Sequence, residues 1–222
     1  MGWMFDFLNS SIGKKIQMAI TGVLLCLFLI IHLIGNLFLF AGPHAFNTYV
    51  ETLSAVRPIV RSIELILTLI FLGHIFNGIR LIIANRQATS VKYAVNKARE
   101  NSTIVSRTMG ITGSVIFIFL AVHLSTIWYT FQLEHGGGKF FDIVMSNNIG
   151  FGNLIVTIFY MIAMFLLGFH LRHGFQSAFQ TFGWNHTKYQ SLIEAVAVFF
   201  WLILPIGFLM IPIYFGLLGG GN

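Results

Sequence analysis

Five apolar runs, at roughly 16–40, 59–83, 109–131, 151–178 and 192–218, decide what this chain is able to fold into. Each exceeds the roughly 18–20 residues needed to cross the hydrocarbon core of a bilayer. In lipid a spanning segment has to satisfy its own backbone hydrogen bonds, and none of the runs shows the alternation of a barrel strand, so all five are expected to be helices. Only 9% of the 222 residues are charged and 56% are hydrophobic, against about a quarter charged in soluble domains, so no soluble domain is left over. The expectation is one all-α integral membrane domain over residues 1–222, with the first four helices forming a bundle. Pro205 and Pro212 are expected to bend the fifth helix and leave carbonyls unpaired. The first run follows two lysines, yet it is too long for a signal peptide and lacks a small-residue cleavage site, so it reads as the first span. Cys26, the single cysteine, lies inside it and has no intrachain partner, which leaves it a packing role.

The formal charge of +6 points to membrane orientation and not to nucleic acid, because the basic residues gather in particular connections. With the N-terminus inside, the inner side holds Lys14, Lys15, Arg80, Arg86, Lys92, Lys97, Arg99, Arg107, Arg172 and Lys188; Arg57, Arg61 and Lys139 are outside. That bias puts the N-terminus in the cytoplasm. The inner connection 84–108 is the longest charged stretch, and its middle is expected to form a short surface helix. It serves either as a topological anchor on anionic headgroups or as a docking point for a cytoplasmic subunit. No internal repeat is read, and the glycine-rich tail is the only biased segment.

The eight histidines divide once the helices are drawn. His44, His135 and His186 fall in connections, and His173 near the inner end of the fourth helix reads as an interfacial polar residue. His32, His74, His123 and His170 remain, one on each of the first four helices. An ionisable side chain within a span is costly and faces the bundle interior or a pathway. One alone is well explained by a hydrogen bond to a neighbouring helix. Four on four helices suit a bundle that supplies axial ligands in pairs.

Depth sorts the pairs. At about 1.5 Å per residue, His32 and His123 lie about 5 to 6 Å outside the midplane, and His74 and His170 roughly 4 to 8 Å inside it. Two planes of two imidazoles suit two haems b, with irons more than about 10 Å apart along the normal. Six-coordinate iron has no open position, so the chemistry implied is electron transfer. Gly78 and Gly174, one turn beyond His74 and His170, would leave room for a porphyrin face. Structural zinc needs four convergent ligands, which these depths do not supply. A proton or ion pathway would need intramembrane acids, and only Glu64 and Glu194, both towards helix ends, are candidates.

At these residues the chain resembles the cytochrome b subunit of the succinate:quinone oxidoreductase family, in its single-polypeptide, five-helix, two-haem branch. The stretches FLIIHLIGNLF with the following AFN, FLGHIFNGIRLI, IFIFLAVHLSTIW and GFHLRHGFQSAFQTFGW resemble that branch's four ligand segments in order and spacing. The resemblance implies that His74 and His170 ligate the proximal haem, nearest the cytoplasmic subunits, and His32 and His123 the distal one. It implies a flavoprotein subunit, an iron-sulfur subunit, a bacterial inner (cytoplasmic) membrane, and electron transfer to quinone, usually menaquinone. Candidate propionate partners are Arg80, Arg172 and Lys188 with Gln17 and Thr21 for the inner haem, and Arg57 and Arg61 for the outer one, each also a plausible snorkelling anchor. Glu64 is a candidate proton donor to quinone, though an acid at a helix N-terminus is also ordinary dipole compensation. Three alternatives stay open: a quinol:fumarate reductase anchor running in reverse, a cytochrome b anchor of another membrane oxidoreductase such as a hydrogenase or formate dehydrogenase, and a cofactor-free transporter.

Overall fold

A computed structural model describes residues 2–88, 104–134, 139–184 and 187–220. Five helices in it are long and apolar enough to cross a membrane: Ser11–Ala41, Arg57–Asn85, Met109–Leu133, Leu154–Thr181 and Thr187–Leu217. They are the five spans expected from the apolar runs, and the described residues include no strand. The first and fifth begin up to five residues before their apolar runs, because a helix continues into the interface until a cap stops it. Ser10 caps the first, its hydroxyl accepting from the Gly13 amide at 3.0 Å. Asn153 caps the fourth through the Ile155 and Val156 amides.

The expected bends of the fifth span take the form of two wide turns of π-helix. One, Phe199–Ile203, ends just before Pro205, and the other, Ile213–Leu217, follows Pro212. Pro205 has no N–H for the carbonyl four residues back, that of Trp201, which instead lies against Gly168 of the fourth span, 3.1 Å from where a Cβ would be. The absent side chain lets the two helices touch there.

Two connections expected as loops are helical. The outer link between the first two spans turns at Gly42, whose φ of 92° suits glycine, and then forms the helix Pro43–Ala55 with proline in its first turn. His44 is exposed on that helix. A shorter helix, Phe140–Met145, packs on it, with the Phe141 amide donating to Asn47 Oδ1 at 2.9 Å. Phe46, Phe131, Phe140, Phe141 and Phe215 close the outer end with edge-to-face rings. The surface helix expected around Lys92, Lys97 and Arg99 lies outside the described residues, as do His135 and His186.

The first span packs on the second, fourth and fifth, and the fourth packs on the first, third and fifth. The buried core runs along the fourth and fifth spans, with Ala163, Leu167, Phe200, Leu204, Phe208 and Ile211 among its members. The fifth helix, expected outside a four-helix bundle, therefore forms one wall of the interior.

Candidate functional site: two pairs of facing histidines

The four intramembrane histidines meet as two pairs. The ring centres of His32 and His123 are 5.9 Å apart, and those of His74 and His170 are 6.4 Å apart. Two imidazoles on opposite sides of one metal, with metal–nitrogen bonds of about 2 Å, place their ring centres about 6 Å apart. Both separations therefore fit one iron between each pair. All four residues are half-buried. Among the described residues no group of three or more His, Cys, Asp or Glu side chains converges on a point, where structural zinc wants four.

Each pair is held differently. In the outer pair Phe28 stacks on His32 at 5.2 Å and Phe119 on His123 at 5.7 Å, each from one turn earlier on the same helix. Phe208 of the fifth span closes over His32 at 5.8 Å, and the Tyr160 hydroxyl reaches His123 Nδ1 at 3.0 Å. In the inner pair Thr21 Oγ1 lies 3.0 Å from His74 Nδ1 and Thr112 Oγ1 lies 3.3 Å from His170 Nδ1. Gly22 and Gly113, next along, each approach Cε1 of the same ring, 3.4 Å from where a Cβ would be.

This inner arrangement occurs twice because the sequence does. Met18-Ala-Ile-Thr-Gly22, with His32 following, is matched 91 residues later (109 − 18) by Met109-Gly-Ile-Thr-Gly113, with His123 following. The second helix of each half carries His-x-x-x-Gly, at His74–Gly78 and His170–Gly174. Met18 Cε lies 3.5 Å from where a Cβ on Gly78 would be, and Met109 Cε 3.7 Å from where one on Gly174 would be, so the same text makes the same contacts. The chain thus contains an internal repeat, contrary to the expectation of none, and methionine tips occupy the space expected beside those two glycines. Tyr160, Phe208 and Thr112 are site residues that the sequence reading missed. The repeated Ile-Thr-Gly at a fixed distance from histidine was the signal for the threonine.

The candidate charged partners each make contacts within the protein. Arg80 donates to Asn9 Oδ1 at 2.7 Å and lies over Phe76. Arg172 is exposed over Trp201 of the fifth span, and Lys188 is exposed over Tyr189. Thr21 lies at an imidazole, and Gln17 joins the Leu8 carbonyl to Asn77. Asn77 is buried, three residues after His74, and its Oδ1 is the one buried side-chain polar atom among the described residues without a partner. Glu64 is held by Arg61 at 2.7 Å and by the Trp128 indole N–H at 2.9 Å, while Arg61 also donates to Gln132. These contacts tie the outer ends of the second and third spans together and give the Glu64 carboxylate a structural role.

The family model of the succinate dehydrogenase/fumarate reductase transmembrane subunit matches residues 15–104 and 85–206. The chain belongs to this family. It is a multi-pass membrane protein and a subunit of a redox enzyme complex that acts on succinate or fumarate. Comparison with curated proteins and with solved structures finds no match. The two matched stretches overlap at residues 85–104, in the connection between the second and third spans, where the repeat also divides.

Proposed function

We propose that this subunit is the two-haem cytochrome b anchor of a succinate:quinone oxidoreductase, carrying electrons from an iron-sulfur subunit to a membrane quinone. The observation that carries the reading is the pair of imidazole–imidazole separations, 5.9 and 6.4 Å, at two levels of one helical bundle. His74 and His170 would hold the inner haem b, and His32 and His123 the outer one. Bound there, haem b supplies a one-electron carrier whose iron has no position open to oxygen. The chain's own residues do the rest. Phe28, Phe119 and Phe208 fix the outer rings and exclude water from them, and the aromatic cap over the outer end keeps that level dry.

The turn of π-helix Leu124–Trp128 directly follows His123, a feature frequent at functional sites, which supports a quinone site beside the outer level. The resemblance of the ligand segments to the two-haem branch supports menaquinone as the quinone, a flavoprotein as the third subunit and a bacterial inner membrane as the location; electron flow from succinate to quinone is the direction proposed.

The test is a reduced-minus-oxidised spectrum of the purified complex. Two b-type components are expected, with His74→Ala removing one and His123→Ala the other. A colourless complex, or one that keeps both components in both variants, overturns the reading.

A further inference from the structure

The Thr-Gly dipeptides that meet the inner pair are built to do more than pack. A threonine hydroxyl has one proton and two lone pairs. In Thr21 that proton is committed to its own helix, at 2.8 Å from the Gln17 carbonyl and 3.2 Å from that of Met18. In Thr112 it is committed at 3.1 Å to the Met109 carbonyl. What each hydroxyl has left for the imidazole is a lone pair, so a hydrogen bond at 3.0 or 3.3 Å forms only if the histidine donates its Nδ1–H. Donation from Nδ1 leaves Nε2 with its lone pair free, the tautomer in which a neutral imidazole binds a metal through Nε2. The two inner histidines are prepared identically from opposite sides by the two halves of the repeat. The outer histidines are not: Tyr160 meets His123, while His32 has rings about it and no side-chain hydrogen bond among the described residues.

We propose that Thr21 and Thr112 are positioning residues that set the reduction potential of the inner centre. Each accepts the Nδ1 proton of the histidine on the next span, locks the ring's tautomer and orientation, and makes the imidazole a more basic ligand. A more basic ligand favours the oxidised iron, so both threonines hold the inner couple low. The backbone carbonyl that takes each hydroxyl's proton polarises the oxygen and strengthens it as an acceptor. A Cβ on Gly22 or Gly113 would stand 3.4 Å from Cε1 of the same ring, in contact with it.

The proposal rests on the haem reading, and its test separates the two. In membranes holding the whole complex, the b-type absorption is titrated against potential for the natural protein and for Thr21→Val, Thr112→Val and the matching serine variants. The inner couple is identified as the one that His74→Ala abolishes. Each valine variant is expected to keep both components and to raise the inner couple by at least a tenfold change in its reduction equilibrium, about 59 mV for one electron. The outer couple stays in place, and serine restores the natural value. Loss of the inner component alone in a valine variant, restored by serine, supports the same role through affinity. Where a valine variant does not accumulate, Thr→Ala at that position gives the same reading without the extra methyl. An unmoved inner couple with full haem content, or equal shifts of both couples, overturns the proposal and leaves the haem reading standing. Absence of b-type absorption in the natural complex overturns both.

Discussion

His123 meets the Tyr160 hydroxyl at 3.0 Å, whereas His32, its counterpart in the repeat, has only aromatic neighbours. The position on the second span that corresponds to Tyr160, ten residues before the histidine, is Glu64. Its carboxylate turns instead to Arg61 and Trp128. The outer centre is therefore held unevenly and the inner one evenly. With His123 bound to iron through Nε2, its Nδ1–H donates to the Tyr160 hydroxyl, and Tyr160→Phe leaves that donor unpaired, which costs about 1–3 kcal/mol. Thermal unfolding of the solubilised complex is expected to show that loss, and a redox titration to show the outer couple raised with the inner one unmoved. An unchanged outer couple would mean that Tyr160 only packs. The four histidines were legible in the sequence because an ionisable side chain stands out in an apolar run. Thr112 and Tyr160 were not, and Thr21 was singled out only as a propionate partner, because hydroxyls are cheap in a span, where they bond back to their own helix.

At the level of the helices, glycine governs how closely the fifth span lies on the fourth. A Cβ on Gly216 would overlap the side chain of Thr157, which is fully buried and donates to the Phe151 carbonyl at 3.1 Å. Neither side chain has space to retreat. Gly216→Ala is expected to cost about 1–3 kcal/mol through overpacking, read as a lower unfolding midpoint in detergent. Gly2→Ala, where a Cβ meets nothing, serves as the control and should leave the midpoint unchanged. The π turns around Pro205 and Pro212 were readable as bends, since proline withholds a donor wherever it stands. Their wide form was not, because how a helix absorbs the missing bond depends on the neighbour it presses against. The helix Pro43–Ala55 did carry a start signal, Gly42-Pro43, but it lies outside the apolar runs that dominated the reading.

Over the whole molecule the usual arrangement is reversed, with large apolar side chains such as Ile31, Leu69 and Ile155 exposed by 62–79% along the spans. Lipid is their expected surrounding. From the bias of ten basic residues to three, the N-terminus and the 84–108 connection are expected on the cytoplasmic side. Alkaline phosphatase fused after residue 220 is expected to be active in a bacterial host, and fused within residues 89–103 to be inactive. The opposite pattern would invert the inner and outer levels.

The sequence by itself determined the number of spans, their helical form, their bias across the membrane and the four ionisable residues within them, because bilayer thickness and charge act on each segment independently. Depth grouped those four into two levels for the same reason. Only the tertiary structure decided that the rings in each level face one another about 6 Å apart, that the fifth span walls the outer pair, and that two threonine hydroxyls stand at the inner imidazoles. These depend on how each helix is rotated and which helix stands beside it. In a membrane the outside is as apolar as the inside, so an apolar pattern leaves rotation and neighbour order to packing and hydrogen bonds.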